Sequence, residues 1–78
     1  MPLSVRAGKA LGEQVRVGRM QAGLDVATFA KKMGRSPSWV VRIERNASSL
    51  TVKTLKRISE IQNLPMEFYF RPLVGRTE

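Results

Sequence analysis

The stretch DVATFAKKMGRSPSWVVRIER, residues 25–45, constrains the fold more than any other part of the chain. Asp25 suits the N-cap of a helix, where a short polar side chain accepts from amides that the first turn leaves unpaired. Val26, Phe29, Ala30 and Met33 then fall at i, i+3, i+4 and i+7, the spacing of one helical face. Thr28, Lys31 and Lys32 take the other side. Gly34 ends the helix, because glycine enters the left-handed backbone region without a Cβ penalty. Ser36 caps a second helix, and Pro37 stands in its first turn, where no amide hydrogen is needed. Two short helices joined by a tight turn follow from these residues.

In the second helix, residues 37–45, Val40 and Ile43 point toward a core. At about 100° per residue, Ser38, Arg42 and Arg45 land opposite them, with Trp39 and Val41 on the flanks. Asn46 is read as a left-handed C-terminal cap, and residues 47–50 as a short polar loop.

The remaining chain builds around this unit. Residues 1–9 carry Arg6, Gly8 and Lys9 without periodicity and read as a flexible basic arm. Residues 11–21 look helical, with Leu11 and Val15 one turn apart and Ala22-Gly23 as a stop. Gly18 inside that run weakens the helix by roughly 1 kcal/mol relative to alanine and lets a neighbouring helix approach closely. Thr51 caps a fourth helix with Val52, Leu55 and Ile58 inward and Lys53, Lys56 and Arg57 outward, ending near Asn63 before Pro65.

The tail, residues 64–78, holds Phe68, Tyr69 and Phe70, three of the five aromatics. With Leu64 they make an apolar patch too large for an unpartnered loop, and such patches mark interaction sites. Ile61, Leu64, Met66, Phe68, Tyr69 and Phe70 are therefore assigned to a two-fold homodimer interface. The predicted fold is all-α, a bundle of four to five helices with a helix-turn-helix domain over residues 10–70.

Composition narrows the partners. Fourteen Lys/Arg against six Asp/Glu give a formal charge of +8, which points to a polyanion, nucleic acid before membrane surface. Cysteine and histidine are absent, which removes disulfides, thiol nucleophiles and most zinc sites and suits a cytoplasmic protein. No apolar run approaches the roughly 18 residues of a membrane span, and the start MPLSVRAGKALG lacks a secretory apolar stretch. The six acids are scattered and no glycine-rich phosphate loop is present. The expectation is therefore no enzyme, no cofactor, no metal and no small-molecule ligand.

The run GLDVATFAKKMGRSPSWVVRIERN resembles the Cro/Xre-type helix-turn-helix of phage repressors and related bacterial regulators. The resemblance rests on the Gly23-Leu24 entry, the acid-capped helix with Phe29-Ala30, the turn glycine Gly34, the cap Ser36, and Arg42-Ile43-Glu44-Arg45. It covers roughly residues 11–64. The run Ile43–Asn46 followed by Leu50-Thr51-Val52-Lys53 also resembles the small controller proteins of restriction-modification systems.

The resemblance implies a sequence-specific double-stranded DNA-binding regulator, an autoregulating homodimeric repressor or repressor/activator on a palindromic operator. Arg42 would read bases, since its planar fork matches guanine O6 and N7; Arg45 would meet phosphate. Arg35, Ser36 and Ser38 would sit at the groove end of the reading helix. Trp39 would either contact a thymine methyl or base step, or pack on a flank. Asn46, Ser48 and Ser49 would hold backbone. Arg19 and Glu44 match a salt bridge between the first and third helices of the family.

Two positions depart from the family pattern. Val26 replaces a phosphate-anchoring glutamine, leaving Lys32 or Arg35 to supply that charge, and Gln62 replaces a leucine. Two other readings remain at this stage: an antitoxin that silences a partner protein, and a nonspecific basic nucleic-acid-binding module.

Overall fold

The computed structural model describes residues 5–74, which form five helices: α1 (Val5–Gln21), α2 (Val26–Met33), α3 (Pro37–Arg45), α4 (Val52–Gln62) and α5 (Glu67–Val74). The outer parts of the predicted arm and tail, residues 1–4 and 75–78, lie outside the described residues. Capping chemistry sets the helix starts. Asp25 Oδ1 accepts from the Thr28 amide at 2.7 Å, Ser36 Oγ from Trp39 at 3.2 Å, and Thr51 Oγ1 from Thr54 at 3.1 Å. Hydrogen bonding by Thr28 holds the Asp25 carboxyl below its ordinary value.

Three helix ends share one backbone device. Gly23, Gly34 and Asn63 take positive φ of 73°, 70° and 58°. The following amides reach back across the last turn, Leu24 to the Arg19 carbonyl, Arg35 to Ala30 and Leu64 to Ser59. These bonds satisfy carbonyls that the helix leaves unpaired. The end of α3 differs, and the left-handed cap expected at Asn46 is corrected: its φ of −158° and ψ of 114° are extended. Extension carries Ala47 beneath α1, where its side chain is fully buried and its amide bonds the Gly8 carbonyl at 2.9 Å.

That contact ties the first described turns of α1 to the chain after α3, and residues 5–9 are helix rather than arm. A Cβ on Gly12 would lie 2.7 Å from the carbonyl oxygens of both Ile43 and Glu44. At Gly8 it would meet the Asn46 side chain and the Ser48 amide. Bare backbone on these two turns lets α1 lie against the end of α3. The support is tertiary, so no local periodicity announces it.

The core gathers Leu11 and Val15 of α1, Phe29 of α2, Val40 and Ile43 of α3, Leu55 and Ile58 of α4, and Tyr69 of α5. Helix α1 packs on α3, α4 and α5, and α2 on α3 and α4. Val52, expected inward, is 73% exposed. The buried side of α4 is centred between Leu55, Ile58, Ser59 and Gln62; at 100° per residue, Val52 stands roughly 70° off that line, on the open first turn.

The tail assignment is corrected in part. Helix α5 folds back, so Tyr69 is fully buried and Phe68 nearly so, their rings edge to face at 5.2 Å. A 78-residue chain has few large side chains with which to fill its core, and it uses these two. Of the six residues assigned to an interface, Phe70 is exposed and Ile61, Leu64 and Met66 are half-buried. Among the described residues, no helix is long and apolar enough to cross a membrane. Nor do three or more acids, histidines or cysteines cluster there to hold a metal ion.

Candidate nucleic-acid interface

Gly34, with a left-handed backbone, and Arg35 turn the chain between α2 and α3, and Ser36 caps the start of α3. Ser36 Oγ and Ser38 Oγ lie 3.1 Å apart, both residues exposed at the open end of the helix. Pro37 brings no amide hydrogen and the Trp39 amide is taken by Ser36, so it is the positive end of the helix dipole and the two hydroxyls that make this end favourable to a phosphate.

Helix α3 is fastened from behind. Arg19 on α1 grips Glu44 with two bonds, Nε to Oε2 at 2.7 Å and Nη2 to Oε1 at 3.3 Å. Its remaining arm donates to the Leu24 carbonyl at 2.9 Å. The two side chains are only 12% and 7% exposed. Ion, partner and backbone are thus all satisfied, and α1, α3 and the loop before α2 are locked together. Glu44 is a structural anchor, not an acid offered to a ligand.

With Val40, Ile43 and Glu44 held inward, the opposite face of α3 is presented to solvent. Ser38, Val41, Arg42, Arg45 and Asn46 line one open hollow of about 660 Å³, and Lys9 of α1 completes it. Three cations and no acid line it, so its potential is positive and suited to a polyanion. Ser38, Arg42 and Arg45 are exposed, as are Arg35, Ser36 and Ser49. Asn46 and Ser48 are half-buried; Asn46 Oδ1 accepts from the Ser48 amide at 2.9 Å, so this pair shapes the loop that carries Ser49.

Trp39 is placed otherwise than its expected contact with a base requires. It is a core residue, 8% exposed, with the Arg35 guanidinium 5.0 Å from its ring centroid. About 100° separates it from Ser38 around the helix, enough to turn the indole from the exposed side into the core. The cation–π contact gives Trp39 a positioning role instead, holding Arg35 over the turn.

Two lining residues are absent from the sequence-based selection. Lys9 was assigned to an arm, and only the unforeseen start of α1 brings it beside α3. Val41 was assigned to a flank, yet it is i+3 from Ser38 and i−4 from Arg45, spacings that share a helical face; that signal was available. On α4, Lys53, Lys56 and Arg57 form a further basic surface, and Arg57 reaches the Lys32 carbonyl at 3.4 Å.

A family model described as a helix-turn-helix domain matches residues 10–65. The chain belongs to the helix-turn-helix domain family. Helices α2 and α3, with the turn at Gly34 between them, lie inside the matched span. The family is one of DNA-binding domains, not of enzymes.

Solved structures share the fold at low identity. The clp gene regulator ClgR from C. glutamicum superposes with a TM-score of 0.81 at 19% identity, covering 100% of this chain and 97% of that one. An alanine mutant of the restriction-modification controller protein C.Esp1396I gives 0.77 at 22%, covering 88% and 92%. A second alanine mutant of that protein gives 0.75 at 21%, covering 90% and 93%. No curated protein sequence matches the chain.

Proposed function

We propose that this helix-turn-helix protein is a sequence-specific double-stranded DNA-binding transcriptional regulator. The observation that carries the reading is the outward row Ser38, Arg42 and Arg45 on a helix fastened from behind, joined by Lys9 with no acid among them. Helix α3 enters the major groove. Arg42 hydrogen-bonds guanine O6 and N7, while Lys9, Arg35, Arg45 and the loop to Ser49 hold phosphates. Phosphate contacts set position and base contacts set sequence.

The protein acts as a homodimer on a palindromic operator with half-sites about 34 Å apart, as an autoregulating repressor or a repressor that activates from a different operator position. Phe70, with the half-buried Ile61, Leu64 and Met66, supplies the dimer surface. The resemblance of the fold to a gene regulator and to a restriction-modification controller supports the regulatory role.

Selection of bound sequences from random duplex DNA tests this reading. Enrichment of paired, inverted half-sites is the expected result. An unenriched pool would sink the proposal in favour of nonspecific polyanion binding, and a protein that sediments as a monomer on a single half-site would remove the dimer.

A further inference from the structure

We infer that Val41 reads the C5-methyl group of a pyrimidine next to the guanine contacted by Arg42. The inference rests on the DNA-binding reading above and deepens it, adding a specificity element that the arginines cannot supply. Val41 is 48% exposed and is the one large apolar side chain among the residues lining the α3 hollow; the others are Lys9, Ser38, Arg42, Arg45 and Asn46. It contributes little to the core, whose contacts on α3 come from Trp39, Val40 and Ile43.

Around the helix, Val41 lies about 60° to one side of Ser38 and Arg42 about 40° to the other. Arg45 falls between them, one turn further on. The valine therefore stands at one edge of the reading face and Arg42 at the other. In a B-form major groove the only apolar feature on a base edge is the C5-methyl of a pyrimidine, carried by thymine or by a methylated cytosine. With Trp39 buried and covered by Arg35, Val41 is the apolar residue lining the hollow that is left to meet it. Adjacent helical residues are offset by a rise of about 1.5 Å, so Val41 and Arg42 address neighbouring base pairs rather than distant ones.

The test uses the full chain and the duplex it enriches from a random library. Replacing each thymine in turn by deoxyuridine removes a methyl and nothing else. At one thymine per half-site, beside a guanine, affinity is expected to fall about four-fold, the worth of one buried methyl at about 0.8 kcal/mol. Val41→Ala is expected to bind the thymine duplex at the reduced level and to be indifferent to uracil, while Val41→Ile retains the difference. A parallel library built with 5-methylcytosine separates the two methyl sources: enrichment of methylated cytosine at that position, with indifference to uracil in the ordinary library, assigns the contact to a modified base.

Tight binding to an enriched duplex with no response to any methyl overturns the role of Val41 and leaves the regulator reading standing. A uracil effect that persists in Val41→Ala overturns it equally. Failure to enrich any duplex from either library removes both.

Discussion

The phenol of Tyr69 donates a 2.6 Å hydrogen bond to Oε1 of Gln62, and Nε2 of the same amide donates at 3.0 Å to the Val15 carbonyl. Gln62 is 3% exposed and Tyr69 fully buried, so one side-chain amide joins α1, α4 and α5 inside the core. Gly18 makes the room, since a Cβ there would collide with the Gln62 amide. Gln14 adds a parallel tie, its Nε2 donating to the Phe68 carbonyl at 2.8 Å. A buried polar group is costly only when unpaired, and among the described residues no buried side-chain nitrogen or oxygen lacks a partner.

Removing one end of that chain should therefore cost more than removing both. Tyr69→Phe leaves Gln62 Oε1 without its donor, and Gln62→Leu leaves the phenol without its acceptor. Each is expected to lower unfolding free energy by about 1–3 kcal/mol. The double variant should recover much of the sum, because two apolar groups of similar shape replace a satisfied pair. Urea unfolding of all four proteins gives the coupling. Strict additivity would show that the two side chains act independently.

Burial pushes the Tyr69 phenol up from 10.0 to about 12, because the charged phenolate loses water inside the core. The folded state thus holds the proton more tightly than the unfolded chain. Its contribution to stability is complete below pH 10 and is lost as pH rises through 12. Tyr69 is the only tyrosine, so alkaline absorbance titration reports it directly. Tyrosinate should appear near pH 12 in the folded protein, and near 10 once the chain is unfolded in denaturant. A folded-state midpoint at 10 would refute the buried placement.

Glu44 should be far more sensitive than an ordinary surface acid. Glu44→Ala leaves Arg19 largely buried with its charge uncompensated, at a cost of about 3–5 kcal/mol. That is a large share of the stability of a small domain. Thermal unfolding should show a collapse in Tm, with Glu60→Ala, on the exposed side of α4, as the control that barely moves. Equal shifts for the two variants would contradict the anchoring role.

Gly12 offers a test of close helix packing that Gly23 can calibrate. At Gly12 an added methyl meets the Ile43 and Glu44 carbonyls at 2.7 Å, and backbone has no rotamer with which to yield. Gly23 has nothing within 4 Å, only a φ of 73° that a side chain disfavours by about 1–2 kcal/mol. Gly12→Ala is expected to be the more damaging, with α1 forced away from α3 and Lys9 displaced from the reading face. Circular dichroism melts of the two variants give the order, and the reverse order would deny the contact.

Much of this was legible in the residues themselves. Asp25, Ser36 and Thr51 announced three helix starts, and Gly23 and Gly34 two ends, because capping depends on one or two side chains and the local backbone. Val40 and Ile43 set the inward face of α3, which in turn fixed Ser38, Arg42 and Arg45 outside. What stayed hidden was decided by distant partners. Helix over residues 5–9 goes with Gly8 meeting Ala47, and Asn46 is extended where Ala47 is drawn under that helix. Tyr69 looked like surface because nothing local shows that Gln62 waits in the core to accept its proton.

The division of labour on the reading face leads to two distinguishable DNA-binding phenotypes. Arg42 lines the hollow from α3, and as the proposed base contact Arg42→Ala should lose about 1–3 kcal/mol of discrimination at one base pair while leaving binding to random duplex nearly unchanged. Lys9 comes from another helix and lines the same hollow; in the proposed complex its charge holds a phosphate. Lys9→Ala should weaken operator and random duplex together and make the log–log salt dependence shallower by about 0.9. Competition binding across a salt series measures both quantities at once. If Arg42→Ala instead lowered all affinities uniformly with a reduced salt slope, the arginine would be a backbone contact, and base readout would have to rest on Ser38 and Val41.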